Sequence, residues 1–305
     1  MDTIFNKVVD FRGEIAALLC AGLWAIASVI YARLGELIPP IQLNLMKGIV
    51  AIALLLLTIL IKGELLIAIS PLPLCLLILS GIVGIGLGDT AFLAAINCLG
   101  ARRALLIETL APALTAILAL VFLEERLNIT AWSGILLSVF GVAWVAVERT
   151  FNRSGTVIHL WQGLNFSLLS AIATATGSVL ARAAFLHGNV SPLWAALLRL
   201  SGGLLIIVVW ISFPNRRRSF QLETLRSRRV IAAAFFAIFF GTYLGIWLQQ
   251  TAIKFTTVGI ASTLLQTSPL FVIPIAIWRG EKVSLRAVIG VTIAIAGIAL
   301  LFYLK

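Results

Sequence analysis

Ten long apolar runs, separated by short charged loops, occupy most of the 305-residue sequence. A helix needs about 20 apolar residues to cross a bilayer core about 30 Å thick, and each run is close to that length. Only 11% of the residues are charged, whereas soluble domains carry roughly 25%, so there are too few polar side chains to coat a soluble core. The sequence therefore predicts an all-α membrane protein with ten transmembrane helices.

The predicted spans form two groups of five on either side of a polar loop. The first group comprises 14–33, 41–61, 72–98, 103–123 and 130–147, and the second comprises 162–185, 192–213, 229–254, 257–278 and 284–304. We therefore predict two domains, residues 1–150 and 151–305, each a five-helix repeat.

Glycines, prolines and charges recur in the same order in both groups. The matched positions are Lys47 with Arg199, Gly84 and Gly88 with Gly241 and Gly245, Pro112 with Pro269, Glu125-Arg126 with Glu281-Lys282, and Gly134 and Gly141 with Gly290 and Gly297. Because five is odd, the second group begins on the opposite face of the membrane from the first. The sequence thus predicts two inverted repeats, with a site at the midplane between them.

These marks resemble the ten-span EamA-domain branch of the drug/metabolite transporter superfamily. The resemblance rests on a proline in the fourth span, a Glu-basic-apolar turn and a glycine-spaced fifth span. They read Ala111-Pro112-Ala113, Glu125-Arg126-Leu127 and Gly134 with Gly141, and they recur as Ser268-Pro269-Leu270, Glu281-Lys282-Val283 and Gly290 with Gly297. The resemblance implies an exporter of amino acids or other small metabolites, often coupled to protons. Lys47 stands where the family commonly has arginine.

Four charged residues lie well inside the predicted spans, away from their ends: Lys47, Asp89, Glu108 and Arg199. A charge at the bilayer centre costs about 2.5–3.5 kcal/mol on insertion scales, so each one needs a reason. At about 1.5 Å per helical residue, the first three lie about 8–14 Å from the same face of the membrane. They form either a structural ion pair or a site where a carboxylate couples or gates transport, and Asp89 is the deeper of the two acids.

Arg199 has no carboxylate at the matching places of its own half, because Asp89 and Glu108 correspond there to Ile246 and Leu265. One interpretation is that helix carbonyls satisfy the guanidinium or that it reaches the membrane surface. The sharper hypothesis is that Arg199 binds an anionic group of the substrate, such as a carboxylate.

Neutral polar residues in the spans also need partners inside the hydrocarbon. Asn44, Asn97 and Gln249 are candidates for hydrogen bonds between helices or for the lining of a polar cavity. Trp24 and Trp247 are candidates for its walls, the alternative being that they anchor the chain at the membrane interface.

Pro112 and Pro269 fall mid-span and are candidate hinges, or static bends that shape the cavity. Small-residue faces predict close packing of the third and eighth spans, and a scaffold or homodimer contact for the fifth and tenth. Glu125-Arg126 and Glu281-Lys282 lie in turns, where we expect interfacial salt bridges or helix caps.

The sequence contains no recognisable catalytic set, phosphate-binding loop or metal-ligand cluster, and we expect no cofactor and no metal. The net charge of +11 comes from loops between spans, so we expect no binding of nucleic acid. More basic residues fall on the face where the second span begins, which predicts that this face is cytoplasmic, whereas the resemblance implies the opposite orientation.

We therefore predict a multi-pass protein of the plasma (inner) membrane that is not an enzyme. Its expected function is secondary transport, as an exporter, of small metabolites such as amino acids by alternating access, with the lipid bilayer, the substrate and protons as partners. The alternative is a flippase for a lipid-linked or lipidic substrate, which should show a laterally open groove.

Overall fold

The computed structural model of the protein describes residues 11–35, 37–38, 40–64, 69–99, 104, 107–148, 160–212, 227–268, 270–271 and 285–303. Within these ranges the chain forms helices and turns and contains no strand. The helices are α1 (Arg12–Gly35), α2 (Pro40–Lys62), α3 (71–99), α4 (Ala111–Phe122), α5 (Ile129–Glu148), α6 (Leu160–His187), α7 (Pro192–Ile211), α8 (Arg228–Phe255), α9 (Val258–Leu265) and α10 (Leu285–Tyr303).

Six of these helices, α1, α2, α3, α6, α7 and α8, are long and apolar enough to cross a membrane. In the described ranges, α4, α5 and α10 are shorter apolar helices, and α9 has eight residues. The all-helical prediction is thus confirmed for the described part of the chain. The number of ten crossings stays a prediction.

A π-helical segment interrupts α3 and another interrupts α8, at matched places in the two halves. The segment in α3 is Gly81–Gly88, between α-helical Pro71–Ser80 and Asp89–Leu99, and the segment in α8 is Ile238–Leu244. The sequence did not indicate either one. Such segments shift the backbone hydrogen bonds of a helix and occur frequently at functional sites.

The glycines of these segments allow the close packing that the sequence predicted. A Cβ placed on Gly84 would lie 3.4 Å from the Cα of Gly177 in α6, and a Cβ on Gly241 would press against Ala27 in α1. Each glycine face therefore lies on the first helix of the other half.

Turns interrupt the chain next to α4 and α9, again at matched places: Thr109–Leu110 precedes α4, and Gln266–Thr267 follows α9. Pro112 consequently lies in the first turn of α4, where its missing N–H costs no helical hydrogen bond. The expected mid-helix kink at Pro112 is therefore wrong in detail, because the helix is already broken before the proline. Pro269 lies outside the described residues.

Helices α5 and α10 pack backbone against backbone along their glycines. A Cβ on Gly134 would lie 3.0 Å from the carbonyl oxygen of Gly297, and one on Gly141 would lie 2.7 Å from that of Gly290. This contact within the chain uses the glycine face that the sequence assigned to a scaffold or to a homodimer.

The helices of the two halves exchange partners reciprocally. Helix α1 packs on α8 and α9, and its counterpart α6 packs on α3 and α4. Helix α2 contacts the π segment of α8, and α7 contacts that of α3, while the pairs α2–α7, α4–α9 and α5–α10 contact each other. Each helix of one half thus packs on the counterparts of the helices that its own counterpart contacts in the other half.

Candidate functional site

A cavity of about 760 Å³ lies between the two halves. Its lining combines apolar residues with a large set of polar and charged side chains. The latter are Trp24, Ser28, Tyr31, Asn44, Lys47, Asp89, Glu108, Thr109, Ser170, Thr174, Ser178, Arg199, Thr242, Gln249, Gln266 and Ser268. Residues beside two of the helix interruptions line the cavity. Asp89 directly follows the π segment of α3, and Gln266 lies in the turn after α9.

The charges of the cavity face each other without direct contact. Asp89 is exposed to the cavity and interacts electrostatically with both Lys47 and Arg199. Within the described part of the chain, however, the ion pair closer than 4.0 Å is that of Arg182 and Glu125, at the end of the bundle. Among the described residues, Asp89 therefore forms no direct ion pair with Lys47 or Arg199.

Arg199 is 3% exposed, yet the protein satisfies little of its hydrogen-bonding capacity. Its Nη1 donates to Gln249 Oε1 over a long 3.4 Å, and its Nε has no hydrogen-bond partner. Its Nη2 lies beside Gly84, where a Cβ would be 3.3 Å away. A buried guanidinium with free donors favours an anionic ligand, since an unpaired buried charge is costly.

Lys47 is half-buried and has partial neutral partners. Its Nζ donates to Asn44 Oδ1 at 3.1 Å and lies 4.9 Å from the centre of the Tyr31 ring. The Tyr31 hydroxyl shares a 2.9 Å hydrogen bond with Thr242 of α8. The cation of the first half is thus held by aromatic and amide groups rather than by a carboxylate.

Glu108 lies just before the turn that precedes α4. Its Oε1 accepts a 3.1 Å hydrogen bond from Thr174 of α6, and its Oε2 is buried with no hydrogen-bond partner. Asp89 is close enough to repel it electrostatically. Ser170 of α6 also interacts with this carboxyl group, so Glu108 joins the two halves at the cavity.

Most of the residues that the sequence singled out lie around this cavity. They are Trp24, Asn44, Lys47, Asp89, Glu108, Arg199 and Gln249. Trp247 is not among the lining residues, and its ring instead faces Lys62 Nζ at 5.0 Å. The side chain of Asn97 lies outside the described part of the structure.

Sequence reasoning missed the polar face of α6 and the aromatic residue that holds Lys47. Ser170, Thr174 and Ser178 follow one another at four-residue spacing, so they lie on one helix face, and all three line the cavity. That spacing was the signal that could have identified them. Tyr31 stood near the end of a span, where an aromatic residue usually marks the membrane interface.

One end of the bundle, which we term the closed end, is held by an ion-pair network between the α4–α5 loop, α6, the end of α8 and the start of α9. Arg182 Nε pairs with Glu125 Oε1 at 2.5 Å, and Arg182 Nη1 donates to the carbonyl oxygens of Ile253 at 2.9 Å and Lys254 at 2.7 Å. Glu125 Oε2 accepts the Val258 N–H at the start of α9, over 3.0 Å. The expected role of Glu125 as a salt bridge and cap is confirmed, whereas Glu281 lies outside the described residues.

Further hydrogen bonds join other helices at the closed end. Thr256 donates to Glu14 Oε1 at 2.8 Å, and Trp194 Nε1 donates to the carbonyl oxygen of Glu64 at 3.0 Å. None of the residues in these closing contacts lines the cavity. The polar cavity is thus separated from this end by a bonded layer.

In the described residues, an all-helical bundle with six helices long and apolar enough to cross a membrane surrounds a charged cavity, which is the architecture of a multi-pass membrane protein. The family comparison agrees: the model of the EamA-like transporter family matches residues 11–147 and again residues 161–303. The chain belongs to the EamA-like transporter family.

A solved structure described as "Crystal structure of protein" is similar over 97% of this chain and 98% of its own, with a TM-score of 0.79 and 16% identity. At that identity the similarity shows the fold alone. Among curated proteins, none matches the chain.

Proposed function

We propose that this protein is a secondary transporter that exports small metabolites such as amino acids by alternating access. The observation that carries the proposal is that Arg199, Lys47 and Asp89 face one cavity without a direct ion pair between them. Arg199 offers free donors to a carboxylate, and Asp89 offers a carboxylate to an amine. The cavity volume falls within the range of roughly 300–1,000 Å³ typical of small-molecule sites.

Ten spans in two inverted five-helix repeats, residues 1–150 and 151–305, would supply the alternating access. The reciprocal packing of the helices and the two separate family matches support this division. In the opposite state, the Glu125–Arg182 network at the closed end would open while the cavity closed at its other end. The broken backbone ahead of Pro112 supports its assignment as a hinge.

Proton coupling through Asp89 is part of the same proposal. A carboxylate in a low-dielectric cavity keeps its charge only while cations are close, so movement of Lys47 or Arg199 relative to Asp89 between states would drive proton uptake and release. Flux of a substrate that does not respond to an imposed pH gradient would contradict this coupling.

The flippase alternative has less support. A lipid substrate needs an apolar path from the bilayer to the site where its head group is bound. An apolar groove does lie between α1 and α8, but it shares no lining residue with the charged cavity. The charges therefore point to a polar solute rather than to a lipid.

Transport of a metabolite mixture into vesicles tests the proposal. We expect the unaltered protein to carry amino acids or related carboxylates, and Asp89→Asn and Arg199→Ala to lower that flux strongly at low substrate concentration. Glu124→Gln and Arg126→Gln are the matched controls, because they remove the same charges from exposed positions in the α4–α5 loop. Normal flux in both cavity variants would show that the site is elsewhere.

A further inference from the structure

A second concave site lies outside the charged cavity, between α1 and the beginning of α8. It is a groove of about 520 Å³ whose walls include Ile30 and Leu34 from α1, and Ala233 and Phe236 from α8. Seven of its eight lining residues are apolar, and the remaining one is Arg229. The groove is therefore an apolar slot with a single cation.

The position of that cation matches the edge of a membrane. Arg228 and Arg229 form the first turn of α8 and are both exposed. Exposed apolar side chains follow at once, with Ile231 49% and Phe235 51% exposed. Arginine at a helix end beside exposed apolar residues lies at the level of the lipid head groups, and the groove continues from there into the hydrocarbon.

The sequence that leads into α8 is strongly basic. The segment 216–229 contains six arginines and a single acid, Glu223. Basic segments next to a membrane helix attract anionic lipids, and basic pockets between helices bind their head groups. A zwitterionic lipid would gain much less from this charge, and a soluble anion would leave the apolar slot unfilled.

We propose that this groove binds an anionic phospholipid, with its phosphate at Arg229 and Arg228 and an acyl chain between α1 and α8. The site is distinct from the transport cavity, although both use the same two helices: Ile30 of the groove precedes Tyr31 of the cavity on α1, and Phe236 of the groove and Thr242 of the cavity both lie on α8. A lipid seated there is a bound partner, not the transported solute.

Lipid retention by the intact protein tests the head-group half of the proposal. The protein is reconstituted in an equimolar mixture of phosphatidylcholine and phosphatidylglycerol, extracted in mild detergent, and its bound lipids are identified by native mass spectrometry. We expect enrichment of phosphatidylglycerol, lowered about fivefold by Arg229→Gln and further by adding Arg228→Gln. Arg229→Lys and the opposite-end control Arg126→Gln should keep the enrichment.

A groove-filling variant tests the acyl-chain half. Ala233→Phe places a ring in the slot and should lower the retention of both lipids, whereas Arg229→Gln should change only the preference between them. Ala233→Leu is the milder variant if Ala233→Phe lowers thermal stability in detergent, and it should act in the same direction. Equal binding of the two lipids by the unaltered protein would overturn the proposal, and so would unchanged lipid retention in Ala233→Phe and Ala233→Leu. A dimer mass that these two variants abolish would also overturn it, because the groove would then hold a second copy of the chain.

Discussion

In the first half of the chain, Lys47 and Asp89 both face the cavity, whereas the matched places of the second half hold Arg199 and Ile246. All four line the same space. The cation is therefore present in both halves, while the acid is present in only one. Two halves with the same chemistry would carry the same charges, so we assign the proposed proton coupling to the first half.

Glu108, like Asp89, has an apolar counterpart in the second half. Glu108 lines the cavity, and its counterpart Leu265 is 5% exposed within the apolar core. The features that do recur are the glycine faces, the π segments and the breaks beside α4 and α9. The recurring features thus include the elements that build the bundle, whereas neither acid of the cavity recurs.

Removing the charge of Asp89 should have the largest effect. Asp89→Asn keeps the size of the side chain but deletes the carboxylate between two cations, and each charge-assisted interaction is typically worth about 1.5–3 kcal/mol. We expect proton-driven flux to fall about a hundredfold or more, measured as the initial rate in vesicles with an imposed pH gradient.

Moving the acid to the other half sharpens the same comparison. Ile246→Asp in the Asp89→Asn background returns a carboxylate to the cavity, but at the matched place of the second half. We expect no recovery of proton-driven flux. Recovery to the original rate would show that the two halves are interchangeable.

Truncation of Arg199 should have the next largest effect. Arg199→Ala removes the free donors that we assign to a substrate carboxylate, so we expect KM to rise about tenfold to a hundredfold. Arg199→Lys should restore only part of the affinity, because an ammonium lacks the planar fork of a guanidinium. A normal KM in Arg199→Ala would mean that the cation serves packing and not binding.

Weakening the Glu125–Arg182 network at the closed end should change flux less than the cavity variants do. It should clearly increase the access of a water-soluble reagent to this end. Glu125 comes from the first half and holds Arg182 and the N–H of Val258 from the second, so Glu125→Gln weakens the contact between halves. With the native cysteines replaced, we expect Thr257→Cys to react about tenfold faster with a membrane-impermeant maleimide in the Glu125→Gln background. Glu124→Gln is the matched control, and an equal rise there would remove the closed end from the mechanism.

Apolar runs predicted the long helices well, because hydrocarbon forces the backbone to satisfy its own hydrogen bonds. The spans predicted as 41–61 and 229–254 correspond to Pro40–Lys62 and Arg228–Phe255. The π segments and the breaks beside α4 and α9 escaped prediction, because they depend on how neighbouring helices pack and no residue type encodes them. The sequence indicates Pro112 as a candidate hinge, but it does not predict that this proline lies in the first turn of a helix.

The same contrast holds for the candidate site. Asp89 and Arg199 could be identified from the sequence, because a charge inside an apolar run is costly unless it has a partner or a function. The hydroxyls of α6 did not, because a serine or threonine can satisfy itself on its own helix, as Ser178 does by donating to the Thr174 carbonyl oxygen at 2.9 Å. The sequence predicts Trp247 and not Tyr31 as a wall of the cavity, because it does not show which face of a helix an aromatic residue occupies.

Neutralising the second acid should have the smallest effect. In Glu108→Gln the amide oxygen can still accept the hydrogen bond from Thr174, and the lost charge also removes repulsion of Asp89. We therefore expect flux to change by no more than about threefold, with the response to a pH gradient retained. The measurement is the same vesicle assay, with Asp89→Asn run in parallel. If Glu108→Gln abolished the response of flux to a pH gradient while Asp89→Asn kept it, Glu108 would be the residue that binds the coupled proton. The role that we assign to Asp89 would then pass to Glu108.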